Sequence, residues 1–145
     1  MGRIVAREPV SVKAREAYAV VVDVGAFPTF MSNITACIIR SDEPTRKLVD
    51  WVMEIDGAEL EWTEAIFYDD RACTARFEAV EGIFSRFDGI WRVTDQPDGS
   101  LVELELEFEL GLPEIEDIIG DILHRKLAEN AEAMLQAIGR RAGAR

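Results

Sequence analysis

The chain predicts one α+β domain over residues 1–145, a bent antiparallel sheet of about seven strands wrapped around a long C-terminal helix. Two short helices are expected after the first strand. Three observations predict this. Val102-Glu103-Leu104-Glu105-Leu106-Glu107-Phe108-Glu109-Leu110 alternates apolar and acidic residues, a period of two that places one face on a core and the other in water. From Ile34 to Leu110 short β-branched and aromatic stretches recur between turn signals. A helix opening at Pro113 and running to about Gly139 then carries Ile115, Ile118, Ile119, Ile122, Leu123, Leu127, Ala131, Met134, Leu135 and Ile138 at helical spacing. A curved sheet closed by one helix leaves a hollow between them.

The elements follow in order. Arg3–Val10 alternates loosely and reads as a strand. Ser11 is placed to cap a helix whose apolar positions are Val12, Ala17, Val20 and Val21, ending near Asp23-Val24-Gly25. Gly25–Met31 suggests a second short helix or turn, because Pro28 cannot sit in a helix interior. Strands are expected at Ile34–Arg40, Lys47–Ile55, Glu59–Tyr68, Cys73–Val80, Phe84–Thr94 and Leu101–Leu110. Asp42-Glu43-Pro44, Asp56-Gly57, Asp69-Asp70, Glu81-Gly82 and Gln96-Pro97-Asp98-Gly99 turn the chain between them. Gly120 interrupts the last helix at a cost of about 1 kcal/mol against alanine, which points to close packing, a kink, or room left for a ligand.

Composition narrows the function classes. The chain is 48% hydrophobic and 30% charged, as soluble globular proteins are. The start reads as a strand rather than a signal peptide, and no stretch approaches the roughly 18 apolar residues of a membrane span, so a cytoplasmic protein is expected. The net charge is −12. Residues 1–47 hold seven basic and five acidic side chains, net +2, and residues 48–145 hold nine and twenty-three, net −14. Such a surface repels phosphate backbones, and nucleic acid is a poor partner. Cys37 and Cys73 read as free thiols buried in strands. One histidine and no Cys-x-x-Cys or His-Glu-x-x-His pattern give no expectation of a metal or other cofactor.

Val21-Val22-Asp23 closing the first helix, Phe27-Pro28 after it and Gly89-Ile90-Trp91 in a late strand resemble the Bet v 1/START-like helix-grip superfamily. Within it, Trp62, Asp69, Glu81-Gly82-Ile83-Phe84 and Asp98-Gly99-Ser100 resemble the polyketide cyclase/aromatase and coenzyme Q-binding branch. The resemblance spans nearly the whole chain and implies a hydrophobic small-molecule ligand, polyketide-like or lipid-like. It also implies a polyketide synthase carrier protein as a partner. At one position the chain departs from the pattern. The aromatase/cyclases carry a cavity arginine four residues after the tryptophan matching Trp62, and here that residue is Ile66.

Strand parity puts Trp62, Glu64, Ile66 and Tyr68 on one face. If that face lines the hollow, Glu64 goes in with it, its pKa raised by desolvation, as a candidate general acid or base. The bland alternatives are a bulged strand, or a Glu64 at the rim or paired with an arginine. Arg86, with Arg92 on the same strand and Arg76 on the preceding one, is a candidate to hold a carbonyl or enolate oxygen. Its alternative is a surface ion pair. The expected ligand lining is Trp51, Trp62, Ile66, Tyr68, Phe77, Phe84 and Trp91, with Phe30 from the short second helix. His124 either faces the cavity as a proton shuttle or lies on the helix surface. Three functions remain open: a polyketide cyclase/aromatase-like enzyme, a non-catalytic carrier of a lipid, quinone or polyketide, and a partner-binding module.

Overall fold

A computed structural model describes residues 2–144. In chain order it contains β1 (Gly2–Val10), α1 (Ala14–Val22), one 3-10 turn (Val24–Ala26), α2 (Phe27–Phe30), β2 (Ile34–Glu43), β3 (Arg46–Ile55), β4 (Ala58–Asp69), β5 (Thr74–Gly82), β6 (Arg86–Gln96), β7 (Gly99–Glu109) and α3 (Pro113–Gly143). The strands form one antiparallel sheet in the order β1-β7-β6-β5-β4-β3-β2. Hairpins join β2 through β7 in sequence. α1 and α2 carry the chain from β1 at one edge to β2 at the other. The predicted fold is the observed one, an α+β helix-grip.

Alternation decides the two faces. Along β7, Val102, Leu104, Leu106 and Phe108 are buried and the intervening glutamates are half-exposed. Glu103 pairs with Arg7 at 2.9 Å and Glu105 with Arg92 at 3.1 Å, on the outer face of the sheet. The inner face meets the C-terminal half of α3, where Leu127, Ala131, Leu135, Ile138 and Ala142 are buried. That half packs against β1 and α1.

Several local expectations are corrected by tertiary contacts. Ser11 does not cap α1. The N-cap is Lys13, and the free Ala14 N–H donates instead to Asp95 Oδ1 at 2.9 Å, from the far end of β6. Cys73 lies in the turn before β5 with a φ of +53° and is half-buried, and Cys37 on β2 is also only half-buried. Neither is a core thiol. The helical stripe of α3 is only half used: Ile115, Ile118, Ile119 and Ile122 are exposed at 41%, 78%, 38% and 53%. The helix also runs one turn past Gly139, to Gly143. A Cβ at Gly120 would meet nothing within 4 Å, so close packing does not require glycine there.

Two glycines shape the concave face. Gly89 on β6 lies so close to β7 that a Cβ would sit 2.0 Å from the Glu105 carbonyl oxygen and 2.8 Å from the Phe77 ring. Gly82 ends β5 with a φ of +127°, where a Cβ would meet Trp62 Cα at 2.6 Å. Only glycine allows both approaches. At the β3–β4 hairpin Asp56 and Gly57 both take positive φ, 50° and 84°, the backbone of a two-residue turn that matches strand twist.

Candidate functional site

Between the concave face and α3 lies a cavity with about 60 Å³ of free space. Its walls are overwhelmingly apolar. β3 and β4 supply Trp51, Met53, Trp62, Glu64, Ile66 and Tyr68. β5, β6 and β7 add Ala75, Phe77, Phe87, Trp91, Leu104 and Leu106. The helical elements close it with Val21, Val24, Phe27, Leu127, Asn130, Ala131 and Met134, and Ile34 comes from the start of β2.

Glu64 is the centre of this site because β4 keeps its parity. A bulge does occur beside it, but on the neighbouring strand. Thr63 pairs with Glu81 and Glu64 with Ala79, which leaves Val80 of β5 as the extra residue. Trp62, Glu64, Ile66 and Tyr68 therefore stay on the inner face. Glu64 is 6% exposed. Its carboxyl group bridges two indoles: Trp51 Nε1 donates to Oε2 at 3.0 Å and Trp62 Nε1 donates to Oε1 at 3.1 Å. Trp51 and Trp62 are opposed in the β3–β4 ladder, so adjacent strands bring the two donors to one carboxyl. Burial pushes the Glu64 pKa up from 4.5, against the downward pull of the Trp62 and Trp51 hydrogen bonds, to about 7. Both protonation states are then populated near neutral pH, as acid–base chemistry requires.

The structure sorts the other candidates. Trp51, Trp62, Ile66, Tyr68, Phe77 and Trp91 line the cavity. Phe84 is buried but stands behind that wall, edge-on to Trp62 with ring centres 5.7 Å apart and 4.6 Å from Phe87. Phe30 also lies outside it, against Phe27 and beneath the Arg141 guanidinium at 5.2 Å, and Phe27 takes the inward place instead. Arg86 does not face the cavity. Phe87 and Trp91 hold the inward positions of β6, which turns Arg86 outward to Asp88 at 2.7 Å and to Glu107. Arg92 is likewise paired outside, and Arg76 stacks over the Phe67 ring on the outer side. His124 faces the Phe108 ring, 5.9 Å between centres, by the Asp117–Asp121 side of α3 rather than the cavity.

Sequence reasoning missed the helical part of the lining. Asn130, Ala131 and Met134 continue the same stripe as Leu127, and that spacing was the available signal. Asn130 is polar and breaks a purely apolar reading of the stripe. Lys126 Nζ lies 3.2 Å from Asp56 Oδ2, joining α3 to the β3–β4 hairpin. Among the described residues no helix is long and apolar enough to cross a membrane.

Residues 10–135 match the sequence profile of the family described as polyketide cyclase / dehydrase and lipid transport. Solved structures share the fold. TTHA0849 from Thermus thermophilus superimposes with a TM-score of 0.93 at 23% identity, covering 98% of this chain and 97% of that one. The Zhui aromatase/cyclase from Streptomyces sp. R1128 gives 0.85 at 15% identity, covering 97% and 92%. Major latex-like protein 151 from Panax ginseng gives 0.79 at 17% identity, covering 97% of each chain. Among the curated proteins no match is found.

Proposed function

The chain belongs to the polyketide cyclase / dehydrase and lipid transport family, and from that membership we propose that it binds a poly-β-ketone or aromatic polyketide in the cavity and promotes its aldol cyclisation and dehydration. The observation that carries this reading is Glu64, a carboxyl group held by two indoles inside an apolar wall and titrating near neutrality. As carboxylate it takes a proton from the acidic carbon between two ketones. The enolate closes on a second ketone, and the carboxylic acid returns the proton to the new alkoxide. Dehydration repeats the exchange: the carboxylate takes the remaining α-proton and the acid gives it to the departing hydroxyl, which leaves as water. Holding the two carbons together in a dry cavity removes an entropic cost of several kcal/mol.

Size constrains the substrate. The free space of about 60 Å³ is below the roughly 300–1,000 Å³ of pockets for drug-sized ligands. A folded polyketide therefore enters by displacing a wall. A polyketide synthase carrier protein would deliver such a substrate.

A second reading is a carrier of a lipid, quinone or polyketide with no catalysis. Ile66 favours it, because it stands where the aromatase/cyclases resembled here hold an arginine, and it lines the cavity as a hydrocarbon. A reconstituted polyketide synthase tests the two. Glu64→Gln is expected to lower the ratio of cyclised to derailed product about a hundredfold, the scale of a lost general acid–base group. A ratio unchanged by that substitution removes Glu64 from the mechanism, and a ratio unchanged by omitting the protein altogether favours the carrier.

A further inference from the structure

The chain has two tyrosines, and the surroundings of their hydroxyls differ. Tyr18 Oη donates to the Thr74 carbonyl oxygen at 2.8 Å and lies 3.2 Å from Asp70 Oδ1. Tyr68 Oη is buried and has no hydrogen-bond partner among the described residues. A hydroxyl shut away from water without a partner is a standing cost, and native folds keep few of them. Tyr68 lines the cavity on the same face of β4 as Glu64, with Ile66 between them. Four residues of strand separate the Glu64 and Tyr68 Cα atoms by about 13 Å, at about 3.3 Å per residue. The Lys47 ammonium lies 5.2 Å from the centre of the Tyr68 ring and donates to the Val22 carbonyl at 2.8 Å.

Two of the other donors of the wall are already occupied. Both indole N–H groups of Trp51 and Trp62 are spent on Glu64. Each Glu64 oxygen receives one of them and keeps lone-pair capacity for a further donor. Two further polar side chains line the cavity, Trp91 from β6 and Asn130 from α3.

We propose that the Tyr68 hydroxyl is a second polar anchor of the ligand site: it donates to a ketone oxygen at one end of a ligand whose hydroxyl or enol is held by Glu64 at the other. Ile66 supports the apolar span between them. The site then selects compact ring systems with oxygen functions at both ends and disfavours simple fatty acids, which carry a polar group at one end only. This inference rests on the cavity being the ligand site.

Calorimetric titration with three bicyclic probes tests it. 6-Hydroxy-1-tetralone carries both functions, 5,6,7,8-tetrahydro-2-naphthol lacks the ketone, and 1-tetralone lacks the hydroxyl. Tyr68→Phe is expected to weaken the two ketones about tenfold, the scale of one hydrogen bond, and to leave the naphthol unchanged. Glu64→Gln should weaken the two hydroxyl-bearing probes and spare 1-tetralone. Without ligand, Tyr68→Phe should melt no lower than the parent, since no internal hydrogen bond is lost. Equal weakening of ketone and naphthol, no weakening at all, or a lowered melting temperature each overturns the assignment of Tyr68 while leaving the cavity as a ligand site. Failure of all three probes to bind the parent protein overturns the cavity reading itself, and this inference with it.

Discussion

Glu64 on β4 and the glutamates of β7 are the same residue type set into strands of the same sheet, and they have opposite fates. Glu103, Glu105 and Glu107 stand on the outer face, half-exposed and matched with Arg7, Arg92 and Arg86. Glu64 stands on the inner face, held by two indole donors. The outer carboxylates meet water and arginines, whereas burial makes the charge on Glu64 expensive and moves its pKa to about 7. A strand face sets the chemistry of a carboxyl group more strongly than its sequence neighbours do. Trp62, two residues from Glu64, and Leu104, flanked by two glutamates, are both buried.

Charge reversal breaks the comparison most sharply. Glu64→Lys places an ammonium against two N–H donors in an apolar wall and is expected to destabilise the protein by about 3–5 kcal/mol. The melting temperature should fall by on the order of 10 °C. Glu105→Lys loses only a partly exposed pair with Arg92 and should change stability by about 1 kcal/mol or less. Thermal denaturation of both variants checks this. Equal effects would show that Glu64 is not buried in solution.

pH gives the next largest effect. The folded-state pKa of Glu64 lies above its ordinary value of 4.5. Between pH 4.5 and about 7 the folded protein retains a proton that the unfolded chain releases, so this group's contribution to stability falls as pH rises through that window. Glu64→Gln does not titrate, and its amide has one acceptor for two indole donors. The parent should therefore be the more stable at pH 4.5 and lose about 3 kcal/mol relative to the Gln variant by pH 8. Denaturant unfolding across that range measures the difference. A flat difference would mean that burial does not raise the Glu64 pKa.

The smallest effect separates the causes of the shift. Trp62→Phe or Trp51→Phe each removes one donor that favours the carboxylate, so the Glu64 midpoint should move up further, by less than burial has already moved it. Arg86→Gln, on the other side of the sheet, should leave it in place. Carbon NMR of the labelled carboxyl follows all three. A downward movement in either Trp variant would show that water entering the gap outweighs the lost hydrogen bond.

Most of the fold was legible because its signals are local. The β7 alternation, the Asp56-Gly57 turn and the Leu127–Ile138 stripe each report on residues within one or two turns of themselves. The stripe misled at its N-terminal end, where Ile115, Ile118, Ile119 and Ile122 keep helical spacing without a surface to cover. Spacing states which residues share a helix face and not whether another element reaches it. Part of the site was legible for the same reason, since parity alone puts Glu64 with Trp62, Ile66 and Tyr68. Arg86 and Phe30 were not, because nearby residues permit either orientation and the places went to Phe87 and Phe27.

By itself, then, the sequence determined the succession of elements, the two faces of β4 and β7, and the carriage of one carboxylate toward an apolar surface. These follow from backbone periodicity, which is a property of consecutive residues. Tertiary structure alone decided that Val80 of β5 absorbs the bulge, that Trp51 and Trp62 converge on Glu64 from neighbouring strands, that Asp95 rather than Ser11 caps α1, and that the Tyr68 hydroxyl is left without a partner among the described residues. Each depends on which distant segment arrives at a given point, and on sheet register and helix placement, which no single stretch of chain encodes.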